Sequence, residues 1–376
     1  GRGDPAPGGE RVNPGVLACV TGAELGASQE LPSELPVGPH AGWRPHVAPE
    51  LLRVCTRLSA WRSLGMILTI HAAILALAWV GGRFSGWWLA PLAVLLIAGL
   101  QHHLLIFLHE SAHGLLHPDR RTNDLLADLL CAIPFFTLAR VYRRLHLLHH
   151  KHVGSERDPE REMYAAMGWQ HERRTRAGLA GMLLADLCGL NLLRMSAWSA
   201  RFVKAQVAEG LTPFGPRDAL LYLLVWGPVA GAALGLGLWP ELLVFWFLPL
   251  PTITTLIAKL HGYLEHTDPA RPASSEYERT LVHELHPLLD FFLYPLRSGY
   301  HLEHHLFPRV PWYHMDRLRA ALATDPEHRR RAAPVTVDGL VGGERPAFQR
   351  FLLLPAAGAG AAHAGEGAPA AEAAAC

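Results

Sequence analysis

Four stretches of this 376-residue chain, Leu64–Val80, Trp87–Leu108, Leu220–Leu238 and Leu242–Leu260, run almost without charge. Each is about the ~17–25 residues that a helix needs to cross a bilayer core. In hydrocarbon every backbone N–H and C=O must be satisfied within the chain, which for runs of this length leaves the α-helix. The connectors Gly81–Gly86 and Trp239-Pro240-Glu241 are short, so the runs pair into two hairpins. Trp87 and Trp88 fall where an interfacial aromatic belt is expected, and Pro91 interrupts the second run near its start. Composition agrees: 50% of residues are hydrophobic and 18% charged, against roughly 25% charged in soluble proteins.

Two weaker apolar segments read differently. Leu125–Leu138 is too short to span and carries Asp128, which suits a re-entrant or interfacial segment. Ala177–Leu193 carries Asp186 and reads as lying along the interface. Residues 1–49, rich in Gly, Pro and Ala, are expected to be disordered, as is the Ala/Gly-rich tail from Pro355. The expected organisation is therefore a disordered segment 1–49, a membrane domain 50–325 and a C-terminal extension 326–376. No signal peptide is visible. A net charge of +1 argues against a nucleic-acid partner, and five cysteines without C-x-x-C spacing form neither a disulfide framework nor a thiolate metal site.

Parity sets an orientation. Two hairpins put residues 1–63, 109–218 and 261–376 on one side, with Arg53, Arg57, Arg62 and nearly all remaining basic residues; the opposite turns hold only Arg83. The excess of positive charge assigns the large loops and both termini to the cytoplasm.

The same side gathers the histidines, of which the chain has 23. They form His109-x3-His113, His146-Leu-Leu-His149-His150 and His301-Leu-Glu-His304-His305, with His266 just beyond the fourth run. On a helix the i, i+3 and i+4 spacings bring imidazoles to one face. Nine such nitrogens exceed the four ligands of one tetrahedral zinc and match two metals at four or five each. Imidazole suits iron, zinc, copper and nickel alike. Glu110, Asp158, Glu265 and Glu303 stand beside these histidines and could accept their second ring N–H. His102, His103, His117, His152, His171, His261, His283, His286 and His314 read as hydrogen-bonding side chains, with His152 and His261 the two able to replace a ligand.

Two other functions use part of this pattern. His109-Glu110-x-x-His113 alone spells an intramembrane zinc metalloprotease with Glu110 as general base, but it leaves the histidines of the other two clusters without a role. A metal transporter needs polar residues inside several spans, and these offer little beyond His71.

With its three histidine boxes in this order and topology, the chain resembles the membrane fatty acid desaturase superfamily, whose boxes read H-x3-4-H, H-x2-3-H-H and (H/Q)-x2-3-H-H. The likeness extends to the flanks His149-His-Lys-His-Val-Gly-Ser-Glu-Arg-Asp-Pro159 and Gly299-Tyr-His-Leu-Glu-His-His-Leu-Phe-Pro308, and covers roughly residues 55–325. It implies an all-α integral membrane bundle of four transmembrane helices with a cytosolic helical cap carrying the boxes. It also implies two iron ions held by His109, His113, His146, His149, His150, His266, His301, His304 and His305, with O2 as co-substrate. The implied activity is desaturation of a fatty-acyl chain or lipid. Hydroxylases and ketolases of lipids, alkanes and carotenoids share the boxes and are the alternative. Box three opens on His301 rather than Gln, unlike the front-end desaturases. No cytochrome-b5-like His-Pro-Gly-Gly motif is present, so electrons are expected from a separate donor such as a ferredoxin with its reductase. The Ala-, Arg-, Gly- and Pro-heavy composition suggests a bacterial inner membrane. The pattern departs at Gly262, where some relatives carry an asparagine one turn before the histidine that matches His266.

Overall fold

The structure, a computed structural model, describes residues 43–153, 155–169, 174–266 and 275–348. Of the segment 1–49, only Trp43 onward is described; His171 and the tail beyond residue 348 lie outside the described residues. The fold is mostly helical, and four helices are long and apolar enough to cross a membrane: Pro49–Phe84, Ala90–Ala112, Pro216–Gly235 and Trp239–Leu264.

The first comprises α1 (Pro49–Cys55), α2 (Ala60–Trp79) and a wider π turn, Val80–Phe84. The second, α3 (Ala90–Ala112), packs along α2. It starts at Ala90 rather than Trp87, because Gly86 and Trp87 have left-handed backbones (φ 58° and 74°). Pro91 does not interrupt this helix. It sits in the first turn, where its missing N–H has no intrahelical acceptor to lose.

The Leu125–Leu138 region is not a regular helix. α4 (Arg120–Ala127) passes through a π turn and a 3-10 turn to Phe136, which is left-handed (φ 61°), and the chain bends by 91° into α5 (Ala139–His152). Asp128, the charge in that apolar segment, accepts the Ala139 N–H at 2.7 Å and so satisfies the start of α5. Next come α6 (Pro159–Ala166), α7 (Arg176–Leu187) and α8 (Leu190–Ala208), the last two meeting at a 74° bend where Gly189 is left-handed (φ 73°). That elbow exposes Leu184, Leu187, Leu190 and Leu193, an apolar surface suited to the membrane interface.

The third span is α9 (Pro216–Gly235); the fourth runs through two π turns into α10 (Thr255–Leu264). The two charges that interrupt apolar sequence find each other. Asp186 of α7, fully buried, takes the Lys259 ammonium of α10, the Trp169 indole N–H at 2.8 Å and the Asn191 amide at 2.6 Å. At the far end of the bundle Arg83 pairs with Glu241 and donates to the Gly237 carbonyl at 2.8 Å, tying the end of the first span to the start of the fourth, where Trp239-Pro240-Glu241 is helical rather than a connector.

After Leu264 the chain forms α11 (Glu276–Arg279), strand β1 (Val282–His283), α12 (Pro287–Leu293), α13 (His301–Leu306), α14 (Met315–Leu322) and α15 (Pro326–Ala332), then β2 (Thr336–Val337), parallel to β1. The chain past residue 325 belongs to the same core: Val335, Val337 and Ala347 pack with Leu264, Leu281 and Leu302.

Candidate metal centre

The first box closes α3. His109 lies in the last helical turn and His113 is the residue that ends the helix, their ring centres 5.3 Å apart. That terminus is built to stay put: the buried Arg143 of α5 donates to the Ser111 and Ala112 carbonyls at 3.3 and 3.4 Å and pairs with Asp124. Asn123 adds a bond to the Ser111 carbonyl at 3.0 Å. The second box occupies the last two turns of α5. The third is α13, whose six residues are all buried.

Helical spacing then divides the boxes. Residues i and i+4 lie almost one above the other, while i+3 leans to the other side of that line. His146 and His150 therefore join His109, His113 and His304 in one group; His149 joins His266, His301 and His305 in another. Within each group the donor atoms all lie within 4.8 Å of one another. Nε2 of His146 stands 2.8 Å from that of His113 and 2.9 Å from that of His150, whose Nε2 lies 3.2 Å from that of His304. In the second group the Nε2 atoms of His266 and His301 are 3.1 Å apart.

Imidazole nitrogens this close either share a proton pairwise or face a common ion. Neighbouring donors around a single ion with bonds of about 2.1 Å are about 3 Å apart, the spacing seen here. His305 Nε2 is buried without a hydrogen-bonding partner among the described residues. Burial, then the Arg143 guanidinium, pushes the His113 pKa down to about 3, and burial holds His266, His304 and His305 well below the usual histidine range. At these four positions that leaves neutral imidazoles, the form a transition-metal ion requires.

Carboxylates fix the other ring nitrogens. His149 Nδ1 donates to Asp158 at 3.0 Å and His301 Nδ1 to Glu265 at 2.9 Å. Glu276 stands 3.4 Å from His305 Nδ1, and Glu160 3.8 Å from His146 Nδ1. Neither had been singled out in the sequence, since each lies ten or more positions from the histidine it faces. Glu110 and Glu303 sit beside histidines in sequence but turn elsewhere: Glu110 accepts the Trp312 backbone N–H at 3.1 Å, and Glu303 accepts Arg319 at 2.6 Å. A residue next to a helical histidine points about 100° away from it, so adjacency is a poor guide to contact.

His261 belongs to neither group of donors. Its Nε2 donates to Glu265 at 2.8 Å and its Nδ1 to the Leu293 carbonyl at 2.6 Å, so it holds the carboxylate that orients His301. Of the other histidines, His102 bonds the Phe292 carbonyl, His103 the Gly99 carbonyl and His283 the Leu264 carbonyl. Beside the two groups lies a cleft where His109, His301 and His304 meet the apolar side chains of Ile106, Leu296, Val310 and Met315.

At Gly262 the space of a side chain is filled from across the site, by the hydroxyl of the buried Tyr164. Gly262→Ala should therefore overpack the contact between α6 and α10 and lower stability by about 1–3 kcal/mol, read as a reduced midpoint of thermal unfolding in detergent. An unchanged midpoint would mean that Tyr164 gives way freely.

Residues 85–333 match the family described as fatty acid desaturase. The chain is 26% identical over 265 residues to a dihydrorhizobitoxine desaturase of Bradyrhizobium elkanii (69% of this chain, 75% of that protein). It is 28% identical over 268 residues to a β-carotene ketolase of Paracoccus sp. (67% and 91%). It is also 26% identical over 314 residues to a ceramide hydroxylase of Caulobacter vibrioides (73% and 85%).

Proposed function

We propose, from the premise that the chain belongs to the fatty acid desaturase family, that it is an O2-dependent di-iron desaturase of a fatty-acyl chain or lipid. Its family and relatives make it an oxidoreductase. The observation that carries the finer reading is the convergence of nine histidines into two groups beside one partly apolar cleft. Irons in those groups, reduced by two electrons from a separate donor such as a ferredoxin with its reductase, would let O2 act as the oxidant that breaks an unactivated C–H bond. In the overall reaction two hydrogens leave adjacent carbons, and with O2, two electrons and two protons they end in two waters.

The side chains have separate tasks. His109, His113, His146, His150 and His304 would hold one ion, and His149, His266, His301 and His305 the other. Asp158 and Glu265 keep the proton on Nδ1 of His149 and His301, leaving Nε2 bare. Ile106, Leu296, Val310 and Met315 offer a chain of methylenes an apolar wall and keep water from the reacting carbon. In this reading the enzyme sits in a bacterial inner membrane, with the centre and both termini on the cytoplasmic side.

Hydroxylation or ketone formation is the second reading, favoured by the ketolase and hydroxylase among the relatives. The protease reading is the weaker one, since His146, His150 and His304 crowd the same nitrogens as His109 and His113.

The test is expression of the chain and its His305→Ala variant in a bacterial host with a donor system, followed by mass spectrometry of extracted lipids. A species lighter by two hydrogens, formed only with the unaltered chain, is expected. A gain of one oxygen reassigns the enzyme as a hydroxylase, and a gain of oxygen with loss of two hydrogens as a ketolase. Purification with a single zinc would overturn the di-iron reading altogether.

A further inference from the structure

The two groups of histidines differ in what surrounds them. Around the group of four, two of the rings donate Nδ1–H to buried carboxylates, Asp158 at 3.0 Å and Glu265 at 2.9 Å, and a third, His305, has Glu276 at 3.4 Å. These acids come from three separate places in the chain, the start of α6, the end of α10 and α11. Glu265 is itself pinned by His261, and Arg279 is the guanidinium beside Glu276.

Around the group of five the pattern reverses. Nδ1 of three of its rings, His109, His113 and His146, has no hydrogen-bonding partner among the described residues, against one such ring, His266, in the group of four, and Glu160 stops 3.8 Å short of His146. The nearest charges to His113 include two guanidiniums, Arg143 and Arg120, which share the single carboxylate of Asp124.

We propose that the two metal positions are unequal: the group of four, supported by Asp158, Glu265 and Glu276, takes up the first ion, and the group of five fills second and more weakly. A carboxylate on the far nitrogen raises the basicity of a ligating imidazole and fixes its tautomer; losing one such partner typically costs 10–100-fold in metal affinity. The fifth imidazole of the other group adds a ligand but no negative charge, and on that side two guanidiniums, Arg143 and Arg120, offset Asp124 and the more distant Glu160. An arriving dication is therefore drawn to the histidines with acids behind them. Loading in this order rests on the reading that both groups bind metal. It makes Asp158 and Glu265 positioning residues for the first ion.

Equilibrium dialysis of the full chain in lipid nanodiscs against Fe2+ under nitrogen, with bound iron counted by mass spectrometry, tests this directly. The unaltered protein is expected to bind two equivalents in steps separated by at least tenfold in free metal. Glu265→Gln should weaken the tighter step by about 10–100-fold and leave the other in place. Asp158→Asn, on a different helix, should do the same, so misfolding of one variant does not remove the test. His113→Ala should abolish the weaker step alone. Two equivalents taken up together by the unaltered chain, or a carboxylate variant that weakens only the second step, overturns the inference while leaving a two-metal centre intact. Binding of no iron overturns the two-metal reading and the inference with it.

Discussion

A His146→Ala variant is expected to lose all detectable turnover and to bind one iron fewer than the unaltered chain. His146 is the hinge of its group. Its Nε2 is within 2.9 Å of both His113 and His150, and its side chain is almost wholly buried against the end of α3. Alanine there removes a central donor and leaves a cavity that no neighbouring side chain can fill with nitrogen. The control is His117→Gln. His117 lies on the loop after α3, where its ring bonds the Asp119 backbone, and its replacement should leave turnover and metal content unchanged. Iron counting together with product analysis checks both. Equal losses in the two variants would show that histidine replacement acts through folding rather than through the centre.

The second large effect is on stability. Lys259→Met should cost about 3–5 kcal/mol, the usual result of stripping one partner from a buried ion pair. Set against a total of roughly 5–15 kcal/mol for an ordinary domain, this is a large fraction. Asp186 would keep Trp169 and Asn191 as neutral donors but would hold an uncompensated charge with no exposure to water. The double variant Lys259→Met, Asp186→Leu removes the charge as well and should recover most of the loss, since apolar replacement of a whole buried pair is often close to neutral. Denaturant titration in detergent micelles distinguishes the outcomes. If the single variant is as stable as the unaltered chain, the contact between α7 and α10 does not depend on this pair.

The two residues also mark what could be read from the chain beforehand. Asp186 and Lys259 each interrupt an apolar stretch, and a charge placed there asks for a partner. Nothing in the spacing says which partner, because 73 positions separate them. The four spans were legible for the opposite reason: hydrophobic length is a local property, and only their ends moved, among them Trp239-Pro240-Glu241, expected as a connector but helical, because cap geometry and tertiary contact decide where a helix stops. The three boxes were legible as helical faces. Their division between two groups was not, since it depends on how α3, α5, α10 and α13 meet. Glu160 and Glu276 escaped notice for the same reason, while Glu110 and Glu303 drew attention through mere adjacency. At Gly262 the sequence shows a missing side chain, and only the packing of α6 against α10 shows Tyr164 in its place.

α13 is only six residues long, too short to hold a helical shape unaided, and three of its six side chains are histidines turned inward. On the two-metal reading, ligation by those imidazoles would add to the hold that Leu302, Leu306 and the Glu303–Arg319 pair give the segment, coupling metal uptake to the last step of folding. If the ions are iron, as proposed, a cell short of it would then do more than idle this enzyme. Newly made copies would linger with a loose segment beside a buried cleft, open to the membrane proteases that clear unfinished chains. The supply of metal would govern how many molecules persist as well as how fast each one works.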